Sequence, residues 1–158
     1  GFHSWPEPKT ADNLRPLVFD NLDYIESMLP PRDVAGKRVF IGEIGYTWEE
    51  IAKKQGISIE DAKKEQVRLA LIQAGVNLQW GTPLWLWWAT FSSFEGTFGL
   101  IDNETDEPSP LYIELRDYFR WAKEFSDAYA ASHGGAKPPF AEFQRAAIAE
   151  LERRAASM

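Results

Sequence analysis

The chain has no cysteine. That removes disulfides, thiolate catalysis and cysteine metal sites, and it leaves the redox compartment undetermined. It has only two histidines, His3 and His133, far apart in sequence. A histidine-based metal centre is therefore not expected, and no cofactor is called for. No apolar run approaches the ~18 residues that a membrane-spanning helix needs, and no signal peptide is visible. The first residue is Gly1 rather than Met. A processed or cut chain would look like this, so a removed leader stays open, and a secreted or periplasmic setting is slightly favoured. Positive charge is also short: 17 Lys and Arg stand against 24 Asp and Glu, for a formal net charge of -7. That balance argues against nucleic acid and against anionic membranes as partners. A neutral ligand such as a carbohydrate fits it.

What is present is an aromatic-rich chain of single-domain length. Its 158 residues are 44% hydrophobic, enough for a packed core, and include 7 Trp. An indole is costly to bury unless its N–H finds a partner, so this enrichment favours clefts and interfaces. Two runs stand out. Arg38 to Tyr46 reads RVFIGEIGY, a strand-like stretch ending in a carboxylate, Glu43. Leu84 to Thr90 reads LWLWWAT and carries three indoles. Their separation fits one β-α-β unit.

Between and around these runs the periodicity gives a coarse map. Gly1–Trp5 reads as the end of a strand running into a Pro-rich loop. Leu17, Val18, Leu22, Ile25, Met28 and Leu29 recur at helical spacing, and Pro30-Pro31 closes that helix. The 38–44 stretch is near-continuously apolar, as in a strand buried on both faces of a parallel sheet. Thr47 opens a helical region. Ser58 and Asp61 form a variant capping box for a helix to about Gln73, ended by Ala74-Gly75. A long loop over 91–110 follows the indole run, then a helix from Leu111 to about Ala131. Residues 132–139 read as a Gly/Pro hinge before a last helix within 140–158.

The alternation of strands and helices predicts an α/β fold with parallel connections. Three parallel strands cannot close a barrel and leave an edge open on each side. The expectation is that another polypeptide, or a missing N-terminal segment, completes the sheet.

Val39 to Gly45 resembles the seventh-strand motif of retaining glycoside hydrolases of the cellulase-like family 5 and its clan, which are (β/α)8 barrels. The indole run, followed by Phe98-Gly99-Leu100-Ile101-Asp102 and then Pro108 to Tyr112, resembles their eighth strand, its loop and the last helix. Phe2-His3-Ser4-Trp5 resembles the tip of their sixth strand. The resemblance covers residues 1–131 and implies the last third of a TIM barrel that typically runs to about 250 residues. It implies that Glu43 is the catalytic nucleophile. It also implies that His3, Trp5, Tyr46, Trp85, Trp87 and Trp88 bind a β-linked sugar. The family's acid/base Glu follows the fourth strand, which this chain lacks. A retaining mechanism needs two carboxyl groups about 5–5.5 Å apart, so the second is expected from a second polypeptide or from a missing segment.

Each residue has a plainer alternative. Glu43 also fits a buried carboxylate held by backbone donors or an arginine, or the general base of a different barrel enzyme. Strand alternation puts Trp85 and Trp87 on one face and Trp88 on the other, and all three also fit a core. Glu49 and Glu50 suit a helix N-terminus better than acid/base work. Asp102 suits a loop-fixing role. A non-catalytic carbohydrate-binding or structural module is the second functional reading.

Overall fold

The computed structural model describes residues 2–3, 11–31, 36–82, 85–91, 97–103 and 105–158. The elements run β1 (Phe2–His3), α1 (Ala11–Met28), β2 (Ile41–Ile44), α2 (Trp48–Gln55), α3 (Ile59–Trp80), β3 (Trp85–Trp87), α4 (Pro110–Ser132) and α5 (Phe140–Ala155). The strands lie parallel in the order β1-β2-β3.

The expected α/β architecture, a partial TIM barrel, is overturned. Helices hold 63% of the described residues, and the strands run only two, four and three residues. The strand-like runs shorten for visible reasons. The backbone N–H groups of Arg38 and Val39 donate to the Glu26 carboxylate rather than to a neighbouring strand, at 3.0 and 3.1 Å. After β3, the carbonyls of Ala89 and Thr90 accept from Leu100 and Ile101, at 3.1 and 2.8 Å. The sheet becomes a small patch on a helical body.

Helix α3 is the centre of that body, and it is longer than the expected stop at Gly75. It continues to Trp80 because Gly75 faces helix α5: a Cβ there would stand 4.0 Å from Leu151 Cβ. The packing of two helices overrides the local breaker. The helix ends instead at Gly81, whose φ of 106 suits a residue without a side chain and whose N–H caps Asn77 and Leu78. The start is as the sequence predicts. Ser58 Oγ accepts from Asp61 N at 3.1 Å and donates to the Asp61 carboxylate at 2.7 Å.

Two cores lie on opposite sides of α3. On one side Leu69, Val76 and Trp80 pack with Leu14, Val18 and Leu22 of α1 and Ile41 and Ile44 of β2. On the other, Val67, Leu71, Ala74 and Leu78 pack with Leu111, Leu115 and Tyr118 of α4 and Ala147 and Leu151 of α5. From Gln66 to Leu78 the helix is buried or half-buried on every side, and the four other helices and the small sheet supply the cover. Arg154 holds α5 to α4 through Glu114 at 2.5 Å, and also pairs with Glu150 at 2.6 Å. Among the described residues no helix is long and apolar enough to cross a membrane.

Two carboxylates of α1 fasten the entry to β2. Asp23 accepts from the Trp80 indole at 2.8 Å and from Lys37 at 3.1 Å, and the Lys37 ammonium lies over the Trp80 ring. Glu26 accepts from Arg38 Nε at 2.8 Å as well as from the two backbone donors. Arg38 in turn donates to the Pro30 carbonyl at 2.6 Å.

The Arg38 side chain, aided by the backbone donors, holds the Glu26 carboxyl below its ordinary value of 4.5. A depressed carboxyl contributes stability that is present above the ordinary pKa and is lost as pH falls through the folded one. Glu26→Gln is therefore expected to lower stability at neutral pH and to flatten its decline below about pH 4.5. Urea titrations from pH 7 to 3 check this. A decline equally steep in both proteins would contradict it.

Candidate functional site

Parallel pairing carries the C-terminal ends of all three strands to one end of the sheet. The register sets His3 of β1 beside Glu43 of β2, and Trp87 of β3 beside Ile44. Trp85 pairs with Ile41, one step further from the strand ends. For His3 and Trp85 the described part is the backbone, and Trp5 lies outside the described residues. Backbone pairing thus sets His3 beside Glu43, and Trp87 beside the following residue, Ile44.

Glu43 is half-buried, between the fully buried Ile44 and the half-buried Gly42. The Trp88 N–H donates to the Ile44 carbonyl at 2.8 Å and continues the ladder past β3. Its peptide bond to Ala89 is cis. Trp88 is 39% exposed, and Leu86 and Phe91 are exposed as well. This end of the sheet therefore offers apolar surface to solvent next to a carboxylate-bearing strand.

Trp87 and Tyr46 are set deeper. Trp87 is half-buried; its indole N–H donates to the Phe98 carbonyl at 2.8 Å, and its ring meets Tyr46 edge-on at 5.7 Å. Tyr46 is 4% exposed. Burial pushes its phenol far above the ordinary tyrosine range, so the hydroxyl stays protonated and donates to Gln73 Oε1 at 2.8 Å. Gln73 passes the chain on, donating to Asn77 Oδ1 at 3.0 Å. Asn77 is fully buried, and its Nδ2 has no hydrogen-bond partner among the described residues. Expected as a sugar-facing aromatic, Tyr46 is anchored toward α3 and shows little surface.

The segment following the indole run is held from several directions. Gln66 Nε2 donates to the carbonyls of Tyr46 and Thr97, at 2.5 and 3.1 Å. The Thr97 hydroxyl donates to Glu49 of α2. Asp102 accepts from the backbone and hydroxyl of Thr105, at 2.9 and 3.1 Å, which is the loop-fixing role its sequence context suggests. Glu50 pairs with Lys54 at 2.6 Å. Both acidic residues that open α2 thus have local partners. Trp48 packs against the first core, and Lys63 lies over its ring. Among the described residues no group of three His, Asp or Glu side chains converges as metal ligands.

Sequence reasoning missed Gln66, Gln73 and Asn77. Their signal was available. They are three amide side chains at spacings of seven and four, within a helix otherwise rich in Val, Leu, Ile and Ala. Amides on that repeat share one helix face, and buried amides demand partners. Comparisons with protein-family models, curated proteins and solved structures find no match to this chain.

The Tyr46–Gln73 bond is buried, so removing either partner strands the other. Tyr46→Phe and Gln73→Leu are each expected to cost about 1–3 kcal/mol, and the double variant about 1 kcal/mol less than their sum. Urea unfolding of the four proteins measures this. Strict additivity would mean that the hydrogen bond contributes nothing.

Proposed function

We propose that the chain is part of a retaining glycoside hydrolase acting on neutral β-linked sugars, with Glu43 as nucleophile. The observation that carries this reading is the pairing, in a parallel sheet, of the strand that bears Glu43 with the strand that bears Trp87 and runs on to Trp88. A carboxylate can bear the positive charge that develops at an anomeric carbon, and indole faces suit the apolar faces of pyranose rings. The net charge of -7 disfavours polyanionic substrates and leaves neutral ones. Trp88 is the indole whose surface is open to a ring, while Trp87 supports the floor from within. The backbone of His3 stands in register with Glu43.

In the first step a Glu43 oxygen bonds to the anomeric carbon. The bond to the leaving oxygen breaks, and its electron pair departs with that oxygen, which takes a proton from a general acid. In the second step water attacks the same carbon, gives its proton to the resulting base and frees Glu43. The acid/base carboxyl comes from a second polypeptide or a further segment. Glu49 and Glu50 are poor substitutes because Thr97 and Lys54 already engage them.

The first step can be tested without the missing acid. A dinitrophenolate leaving group is a weak base and departs unprotonated, and fluorine at C2 slows the second step. Incubation with dinitrophenyl 2-deoxy-2-fluoro-β-glycosides of the gluco, manno and xylo series is expected to add one fluoroglycosyl mass. The adduct should map to the peptide containing Glu43 and vanish in Glu43→Gln. Sugar binding without an adduct would favour the carbohydrate-binding module instead. Neither binding nor an adduct would reject both readings.

A further inference from the structure

Gln66 has an unusual assignment for a residue in the middle of a buried helix face. It is 3% exposed and lies between the neighbours Glu65 and Val67 on α3. Burying an amide is unfavourable unless its hydrogen-bonding groups are matched. Here the side-chain nitrogen spends itself on two backbone carbonyls from distant segments, Tyr46 at 2.5 Å and Thr97 at 3.1 Å. A glutamine side chain can do this because its NH2 carries two donors at a fixed fork. Ionised glutamate has no donor, and leucine has the size but no polar atom.

Both carbonyls matter to the strand-end site. Tyr46 lies three residues beyond Glu43, on the chain that leaves β2. Thr97 precedes Phe98, whose carbonyl receives the Trp87 indole N–H. The same segment continues to Leu100 and Ile101, which donate back to Ala89 and Thr90 just after Trp88. One amide thus joins the carboxylate-bearing segment to the segment that seats the indole run.

We infer that Gln66 is a positioning residue for the strand-end site. Its forked amide sets the spacing between the chain leaving β2 and the 97–101 segment, and through Phe98 it sets the attitude of Trp87. Its relevance to sugar rests on the proposed role of Glu43, whereas the joint itself does not.

The wild-type protein gives the first test. By NMR, both Nε2 protons of Gln66 should exchange slowly with solvent and show contacts to the Tyr46 and Thr97 backbones. Rapid exchange of this pair would overturn the inference with no variant required. The second test compares Gln66→Leu and Gln66→Glu with wild type. The expected result is about tenfold faster amide exchange at Leu100 and Ile101, the equivalent of one hydrogen bond lost. The Trp87 indole N–H signal should shift, and amides of α3 should accelerate only as far as global stability falls. Unchanged exchange at 100–101 in the folded variants would contradict a positioning role. Equal acceleration everywhere would reduce Gln66 to a general stabilising residue and also overturn the inference. Labelling by the fluoroglycoside should slow in both variants. If wild type is not labelled at all, the glycosidase reading fails, while the exchange measurements still judge the joint.

Discussion

Helix α3 is covered on every side from Gln66 to Leu78, and that requirement organises the molecule. Its apolar residues face α1 and the sheet in one direction and α4 and α5 in the other. Removing large apolar side chains from water is the main favourable term in folding, on the order of 1.5–3 kcal/mol for each fully buried one. A helix that presents such residues around its whole circumference has no stable solvent-exposed state. The surrounding helices are therefore parts of one arrangement, and α5, at the end of the chain, completes the cover through Leu151 against Gly75.

The same helix carries the polar groups that connect the cores to the strand ends. Gln66, Gln73 and Asn77 are buried among apolar neighbours. Two of them are matched to Tyr46, one to its carbonyl and one to its hydroxyl. Tyr46 is thereby fixed at both ends, and Trp87 rests edge-on against it. The orphaned Nδ2 of Asn77 ends the chain. The strand ends are thus fastened by buried amides beneath them as well as by the pairing of short strands. Sites held by packed and hydrogen-bonded support lose less on binding, because their groups need no ordering.

Much of the helical structure was legible in the sequence. Ser58 and Asp61 announced the start of α3, Pro30-Pro31 stood just beyond α1, and the periodicities of 111–131 and 140–156 marked the last two helices. The break at Gly75 was misread because local propensity cannot report that α5 packs along this part of α3, with Leu151 beside Gly75. The 38–44 run looked like a longer strand because apolar character says nothing about where backbone N–H groups find acceptors. Glu26, twelve residues from Arg38 in sequence, takes the first two. The barrel-like motifs carried no information on sheet size, and of the strand residues whose burial is described only Ile41 and Ile44 are fully buried, while Leu86 is exposed. At the site, Glu43 and the indoles were visible as residue types, whereas the amides beneath them were hidden among helix-forming residues.

We propose that the strand ends form one sugar-facing surface with a buried support behind it. The most direct test follows the indole N–H signals of the seven tryptophans while a neutral β-linked oligosaccharide is added. The account predicts a large, saturable shift at Trp88 and a smaller one at Trp87. Trp80, tied to Asp23 on the far side of the core, should not move. Shifts at Trp80 or Trp121 with none at Trp87 and Trp88, or no saturable shift at any indole, would contradict it.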